Sequence, residues 1–75
     1  MKIYNYTVVF EPLPEGGYNV VVPAIPEIIT FGETLKEAKA MAEDALKCYI
    51  ESALENHESL PADKKPSIAN IEVKV

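Results

Sequence analysis

The sequence is poor in the residues that build disulfides and metal sites. It contains one cysteine, one histidine and no tryptophan. A single cysteine, Cys48, cannot form a disulfide within the chain, and His57 alone cannot complete the Cys and His sets that hold zinc. We therefore predict no metal and no cofactor.

Basic residues are also scarce, with 7 Lys and Arg against 12 Asp and Glu and a formal net charge of -5. Because nucleic-acid affinity depends on clustered Lys and Arg, this balance argues against direct nucleic-acid binding and favours a basic protein partner. The first residues show no long apolar run typical of a signal peptide or a membrane span. We expect a cytoplasmic protein with no membrane partner.

The chain has 75 residues, of which 48% are hydrophobic, and this predicts a single globular domain over residues 1–75. A core of this size supplies only roughly 3 to 5 kcal/mol of net stability unless a disulfide, a metal or a second subunit adds to it. Since the first two are not expected, we predict a homodimer or a higher homo-oligomer.

Alternation of apolar residues predicts two paired strands near the start of the chain. Residues 3–11 and 18–22 alternate, and the Pro- and Gly-rich segment 12–17 between them predicts a turn. Each proline in the following corner, Pro23 and Pro26, fixes φ and disfavours a helix. The β-branched and aromatic residues 28–31 then predict a third strand. The predicted helix-facing side chains are Tyr6, Val8, Phe10, Tyr18, Val20 and Val22.

A capping box marks the start of the predicted helix. In it the Thr34 hydroxyl and the Glu37 carboxylate satisfy backbone amides at a helix start. An apolar stripe at three- and four-residue intervals then predicts one helix to about Asn56. Its members are Leu35, Ala38, Ala42, Ala45, Leu46, Tyr49 and Ala53. Because four of them are alanines, we expect the helix backbone to lie close to a sheet.

Residues 68–75 alternate again and predict a fourth strand after a surface loop, with Ala69, Ile71, Val73 and Val75 pointing inward. The right-handed crossover rule places this strand parallel to the first. The predicted fold is α+β: a two-layer β-β-β-α-β arrangement with a mostly antiparallel four-stranded sheet, order 3-2-1-4, and one long helix packed on one face. The opposite sheet face is partly apolar and could take a second subunit.

Some acidic, His, Cys and Tyr residues could have catalytic or ligand-binding roles, but each also has a structural explanation. Four acidic residues, Glu11, Glu37, Glu43 and Glu72, could hold magnesium ions in a nuclease, but surface charge and helix capping explain them better. His57 is interpreted as an exposed helix end, and Cys48 as a half-buried packing residue. The tyrosines are expected to anchor the core. We therefore predict that the protein is not an enzyme.

Three motifs in order resemble the N-terminal domain of HicB antitoxins over about residues 4–61. They are the aromatic strand Tyr6-x-Val8-x-Phe10, the turn Gly16-Gly17-Tyr18 leading to the proline corner, and Gly32-Glu33-Thr34-Leu35 at the helix start. The resemblance implies a partial ribonuclease H-like fold and an antitoxin that occludes HicA, a small basic mRNA-cleaving toxin. Family members often continue into a DNA-binding domain, and this sequence ends at Val75, so operator binding is not expected from it alone.

Six residues around the corner and the third strand form the predicted partner-binding set: Pro23, Ile25, Pro26, Glu27, Gly32 and Glu33. A rigid corner with a strand end explains them structurally, and an acidic and apolar docking edge explains them functionally. We predict that a basic HicA-type toxin docks there. The alternative is a solitary interaction or regulatory module of the same fold with no cognate toxin.

Overall fold

The computed structural model describes residues 2–75, which form three strands followed by one helix. The elements are β1 (Val9–Pro12), β2 (Tyr18–Val21), β3 (Ile29–Gly32) and α1 (Leu35–Glu55). The sheet is antiparallel in the order β1-β2-β3. The α+β class, the single long helix and the order of the first three strands are confirmed.

A glycine turn joins β1 to β2. The Leu13 amide donates to the Gly17 carbonyl at 3.0 Å, and the Gly16 amide donates to the Leu13 carbonyl at 3.0 Å. Gly16 and Gly17 have φ values of 103° and 85°, which residues with a Cβ rarely adopt. The predicted turn is confirmed, and it sets Pro12 opposite Tyr18.

The corner between β2 and β3 consists of two short hydrogen-bonded turns. The Ile25 amide donates to the Val22 carbonyl at 2.9 Å, and the Ile28 amide donates to the Ile25 carbonyl at 3.1 Å. These turns bring the Ile25 side chain inside, where it is fully buried. The corner therefore contributes a core residue as well as a bend.

The capping box forms at the start of α1. The Thr34 hydroxyl accepts from the Glu37 amide at 3.0 Å, and the Glu37 carboxylate accepts from the Glu33 amide at 3.1 Å. The carboxylate thus reaches one residue further back than in the usual capping box. At the other end, the helix stops at Asn56, and His57 takes a φ of 55°.

The small residues of α1 allow the helix to lie directly on the sheet. Ala38, Ala42 and Ala53 are buried, as the apolar stripe predicts, although Leu35 is 41% exposed. The approach is closest at Gly32, where an added Cβ would lie 2.8 Å from the Ala38 Cβ and nearer still to the Ala38 backbone. Gly32 is therefore required at the contact between β3 and α1.

The core consists of two adjoining groups of side chains between the sheet and α1. Val20 packs with the helix alanines, and Val22 packs with the corner. Val8 contacts both groups, so it joins them. The predicted helix-facing side chains of the first two strands, from Tyr6 to Val22, all take part. The buried members are Val20, Val22, Ala24, Ile25, Ile28, Ala38, Ala42 and Ala53.

The first strand is shorter than the alternation predicts. Pairing begins at Val9, opposite Val21, and the predicted strand residues 3–8 have no strand partner in the described chain. The reason is that β2 ends at Val21, where the corner begins, so the central strand has no further residue to pair with those before Val9. Tyr6 and Val8 still pack on the core, whereas Tyr4 is 37% exposed.

The predicted fourth strand is not formed within residues 2–75. Residues 68–75 form no strand or helix there, and the side chains predicted to point inward are exposed. Ile71 and Val73 are 82% and 73% exposed. The fourth position of the predicted order 3-2-1-4 is thus not observed. Alternation alone identifies a segment suited to a strand, but it cannot supply the edge with which that segment pairs.

One smaller prediction also needs correction. Cys48 was predicted to be half-buried, and it is exposed on α1, because the helix turns this flank of the stripe away from the sheet. No helix among residues 2–75 is long and apolar enough to cross a membrane.

Candidate protein-interaction surface

The six predicted partner-binding residues lie at the two ends of β3. Pro23, Ile25, Pro26 and Glu27 occupy the corner before the strand, whereas Gly32 ends the strand and Glu33 follows it. A strand of four residues spans roughly 13 Å. The residues therefore bracket β3 from both ends and do not form a single cluster.

Exposure divides the six predicted residues into two groups. Pro26, Glu27 and Glu33 are exposed and Pro23 is half-buried, so these four are accessible to a partner. Ile25 and Gly32 are buried. Ile25 packs beneath the corner and Gly32 lies against α1, so both shape the surface from below.

Two apolar side chains fill the space between the ends of β3. Ile29 is 85% exposed and Phe31 is 42% exposed. They lie opposite Val21 and Asn19 of β2, on the face of the sheet away from α1. Val21 is itself 37% exposed, so the apolar area continues onto the central strand.

Sequence reasoning did not single out Ile29 and Phe31 as surface residues. Three of the four residues 28–31 are apolar, so the run shows no alternation between an apolar and a polar face. Alternate residues of a strand lie on the same face, so Ile29 and Phe31 share one. Which face of the strand is buried depends on the register between β2 and β3. The two turns of the corner set that register.

A groove of about 410 Å³ opens where this sheet face meets the corner. Pro23, Pro26 and Ile29 contribute to its walls together with residues 19–22, which run from β2 into the corner. We call the surface formed by the corner and the outer face of β3 the β3 surface. It consists of Pro23, Pro26, Glu27, Ile29, Phe31 and Glu33.

The turn between β1 and β2 supports the far end of the β3 surface. A Cβ added at Gly17 would lie 2.6 Å from Cζ of Phe31, so the aromatic ring lies directly against the glycine. Gly17 therefore has two roles, because its positive φ closes the turn and its missing side chain makes room for the ring.

Negative charge concentrates near the corner end of the β3 surface. Partial desolvation, followed by the negative charges of Glu27 and Glu58, raises the pKa of the Tyr49 phenol above its ordinary value. Glu27 and Glu58 therefore both lie within electrostatic range of the Tyr49 phenol. Sequence reasoning missed Glu58, which is 31 positions further along the chain than Glu27.

β3 is an edge strand of the observed sheet. It pairs with β2 on one side, and no strand within residues 2–75 pairs with its other side. An open strand edge offers backbone N–H and C=O groups to an added strand. The β3 surface therefore combines apolar side chains, carboxylates and an open edge.

The residues considered for catalysis are not brought together. Glu11 lies on β1, Glu37 caps α1, Glu43 is exposed on α1, and Glu72 lies in the unpaired last segment. Within residues 2–75, no group of three or more His, Cys, Asp and Glu side chains is placed to hold a metal ion. His57 is exposed at the end of the helix.

Comparison with known proteins gives one family and several relatives. Residues 6–74 match the family model described as HicB_like antitoxin of bacterial toxin-antitoxin system. The chain is 46% identical over 61 residues to antitoxin HicB 1 of Photorhabdus laumondii, covering 81% of this chain and 39% of the relative. It is 45% identical over 57 residues to antitoxin HicB of Escherichia coli K12, covering 76% and 41%.

A third relative has a length similar to that of this chain. It is a UPF0150 protein of Thermoplasma acidophilum, 40% identical over 64 residues that cover 85% of this chain and 93% of the relative. The chain thus spans about two fifths of the length of the two antitoxins and nearly all of the archaeal protein. The matched part of each antitoxin is a region of a longer protein.

Proposed function

Because this chain belongs to the HicB-like antitoxin family of bacterial toxin-antitoxin systems, we propose that it binds a small basic HicA-type toxin through the β3 surface and occludes it. The observation that carries the proposal is the exposed pair Ile29 and Phe31, which lies between Glu27 and Glu33. Exposed apolar area bordered by charge is typical of a protein-binding surface.

Electrostatics favours a basic partner at this surface. The charges at its two ends are carboxylates, Glu27 and Glu33, and the whole chain carries -5. Carboxylates can pair with toxin Lys and Arg while Ile29 and Phe31 exclude water from the contact. The same contact keeps the toxin's basic RNA-binding groups from RNA. Inhibition then needs no chemical step from this chain, and because the toxin cleaves mRNA we place the complex in the cytoplasm.

Self-association is a further part of the proposal. Among residues 2–75, only three large side chains are fully buried, Ile25, Val20 and Val22, which is a small core for an independent domain. Apolar side chains of the last segment are exposed at the same time. A homodimer would cover them and add the stability that the core lacks.

Calorimetric titration against a catalytically inactive HicA-type toxin tests the proposal. The informative variant is Glu27→Lys with Glu33→Lys, because it places positive charge at both ends of the β3 surface. We expect affinity to fall by about tenfold or more, since like charges across an interface are strongly unfavourable. A parallel assay of RNA cleavage by the active toxin should show weaker inhibition.

The matched control is Glu43→Lys with Glu51→Lys, which changes the net charge equally on exposed positions of α1 away from β3. We expect its affinity to stay within about threefold of the parent value, because charges beyond the Debye length are largely screened. Equal losses in both double variants would reject the β3 surface as the docking site. No binding by the parent chain at micromolar concentration would reject toxin occlusion altogether.

The archaeal relative supports a second candidate, a solitary interaction module. That protein aligns over 93% of its length and its name mentions no toxin. A neighbouring reading frame that encodes a short, Lys-rich protein with a single histidine would favour the antitoxin. Absence of such a frame, together with binding to a different protein, would favour the solitary module.

A further inference from the structure

The last eight residues form neither a helix nor a strand within the described chain, and all of them are exposed. We call residues 68–75 the arm. Ile68, Ile71 and Val73 are 86%, 82% and 73% exposed, which is unusual for three large apolar side chains in so short a segment. The family match continues to residue 74, so all of the arm except Val75 lies inside the matched region.

The loop that precedes the arm is hydrogen-bonded to the residues just before β1. The Tyr6 hydroxyl donates to the Pro61 carbonyl at 2.5 Å. Asp63 accepts from the Thr7 amide at 2.9 Å and from the Thr7 hydroxyl at 2.7 Å. These bonds hold the loop before the arm against the segment that leads into β1.

The turn between β1 and β2 shows which way the β1 amides point. The Leu13 amide donates to the Gly17 carbonyl and therefore points to the β2 side. Amides alternate in direction along a strand, so those of Glu11 and Val9 also point to β2, and that of Phe10 points away from it. No strand within residues 2–75 pairs with that side of β1. The outer edge of β1 is thus ready to accept a strand.

The arm of the same chain is poorly placed to fill that edge. Five positions separate Thr7 from Pro12 at the end of β1, and five separate Asp63 from Ile68. If the chain ran on beside β1 from Asp63, residues 64–67 would occupy the edge and the arm would extend past it. Pro66 lacks an amide for such pairing and favours an extended Lys65.

Charge favours docking of the arm on another copy of the chain. Residues 64–75 contain three lysines and one glutamate, a formal charge of +2. Residues 1–63 contain four lysines and eleven acidic residues, a charge of -7. The segment that carries the arm is therefore the cationic part of an otherwise acidic chain, which favours its contact with the body of a second copy.

We propose that the arm of one copy adds as a strand to the outer edge of β1 in a second copy, and that two copies exchange arms reciprocally. This inference specifies the self-association proposed above, and it does not depend on toxin binding. Each sheet then gains the fourth strand that the alternation predicts. The two-fold exchange also closes both β1 edges, so the assembly stops at a dimer.

Sedimentation equilibrium of the full chain tests the exchange with arm variants. The variant Ile71→Glu with Val73→Glu removes two apolar side chains from the exchanged strand. The control Ser67→Glu with Asn70→Glu adds the same charge in the same region and keeps the apolar side chains. We expect dimers for the parent and the control, and a dimer dissociation constant raised at least about 100-fold for the first variant. Circular dichroism should show the same helix content in all three.

Amide exchange separates arm exchange from other dimers. In the parent, the Phe10 amide at the outer edge of β1 should exchange slowly, and it should exchange faster in the Ile71→Glu, Val73→Glu variant. A monomeric parent, or a dimer that survives this variant unchanged, would overturn the proposal. Neither result bears on toxin affinity, which the calorimetric titration measures separately.

Discussion

The two edge strands of this sheet differ in what the chain places beside them. The segment that leads into β1 is bonded to a loop through Asp63, and the cationic residues 64–75, which include the arm, follow that loop. β3, at the other edge, presents Ile29 and Phe31 between two carboxylates on the sheet face away from α1. The two proposals thus assign different strands to different partners. β1 would bind the arm of a second copy, and β3 would bind the toxin.

The two edges are also stabilised by different means. β3 lies directly against α1 at Gly32, so its position depends on close backbone packing. The β1 edge meets the loop through side-chain hydrogen bonds at exposed positions. Packing losses of this kind usually cost more free energy than losses of exposed hydrogen bonds. Substitutions at the β3 side should therefore have the larger effects on stability.

The largest effect is expected for Gly32→Ala. The new methyl group would collide with the Ala38 backbone, which belongs to α1 and cannot shift cheaply. We expect a loss of roughly 3 kcal/mol in the free energy of unfolding, which lowers Tm by about 15 °C in a domain of this size. The control is Gly16→Ala, which meets nothing within 4 Å and suffers only backbone strain of about 1 to 2 kcal/mol. Equal losses from the two, measured by urea unfolding, would contradict the close contact.

A smaller loss is expected for Gly17→Ala, about 2 kcal/mol from its positive φ and from displacement of the Phe31 ring. This variant sharpens the comparison, because it should disturb the β3 surface and leave the β1 edge intact. Toxin affinity should fall while the dimer dissociation constant stays unchanged. Parallel losses of both would show that the edges are not independent.

Thr34→Ala should cost about 1 kcal/mol, because the Glu37 amide loses its acceptor at the start of α1. The helix start follows β3 directly, so this substitution loosens the β3 side without touching its exposed residues. Thr34→Ser keeps the hydroxyl and should retain nearly all of the stability in thermal unfolding. A full loss in the serine variant would mean that the methyl group matters and the cap does not.

The smallest effect on stability is expected for Asp63→Ala, which acts at the β1 edge. Backbone and side-chain hydrogen bonds from Thr7 lower the pKa of the Asp63 carboxyl below its ordinary value. The contribution of this group is thus present above the unfolded pKa of about 4 and is lost as the pH falls through the lower folded value. At neutral pH the Thr7 amide should exchange faster in the variant than in the parent. In acid, the Thr7 exchange rates of the variant and the parent should become equal. The control Asp44→Ala should give the parent's rate at every pH.

Local sequence signals predict the paired part of the fold correctly, and the reasons are physical. The Gly16-Gly17 pair, the capping box at Thr34 and the alanine stripe each depend on residues within a few positions of one another. Such signals need no knowledge of the remaining chain. The helix, the hairpin and the three-strand order follow from them.

Features that depend on distant parts of the chain escape the same reasoning. The outward direction of Ile29 and Phe31 depends on a register set by the corner, and the place of the arm depends on which edge is open. The joint effect of Glu27 and Glu58 on the Tyr49 phenol also arises only after α1 packs on the sheet. Composition predicts the acidic character of the site, but only the folded chain shows that the predicted residues bracket β3.

Amide hydrogen exchange at both edge strands, with and without the inactive toxin, tests most directly whether β3 binds the toxin and β1 does not. We predict that the toxin slows exchange in residues 29–33 and leaves residues 7–12 and the arm as they are in the free dimer. Toxin-dependent protection of residues 7–12 with no change in residues 29–33 would contradict the account.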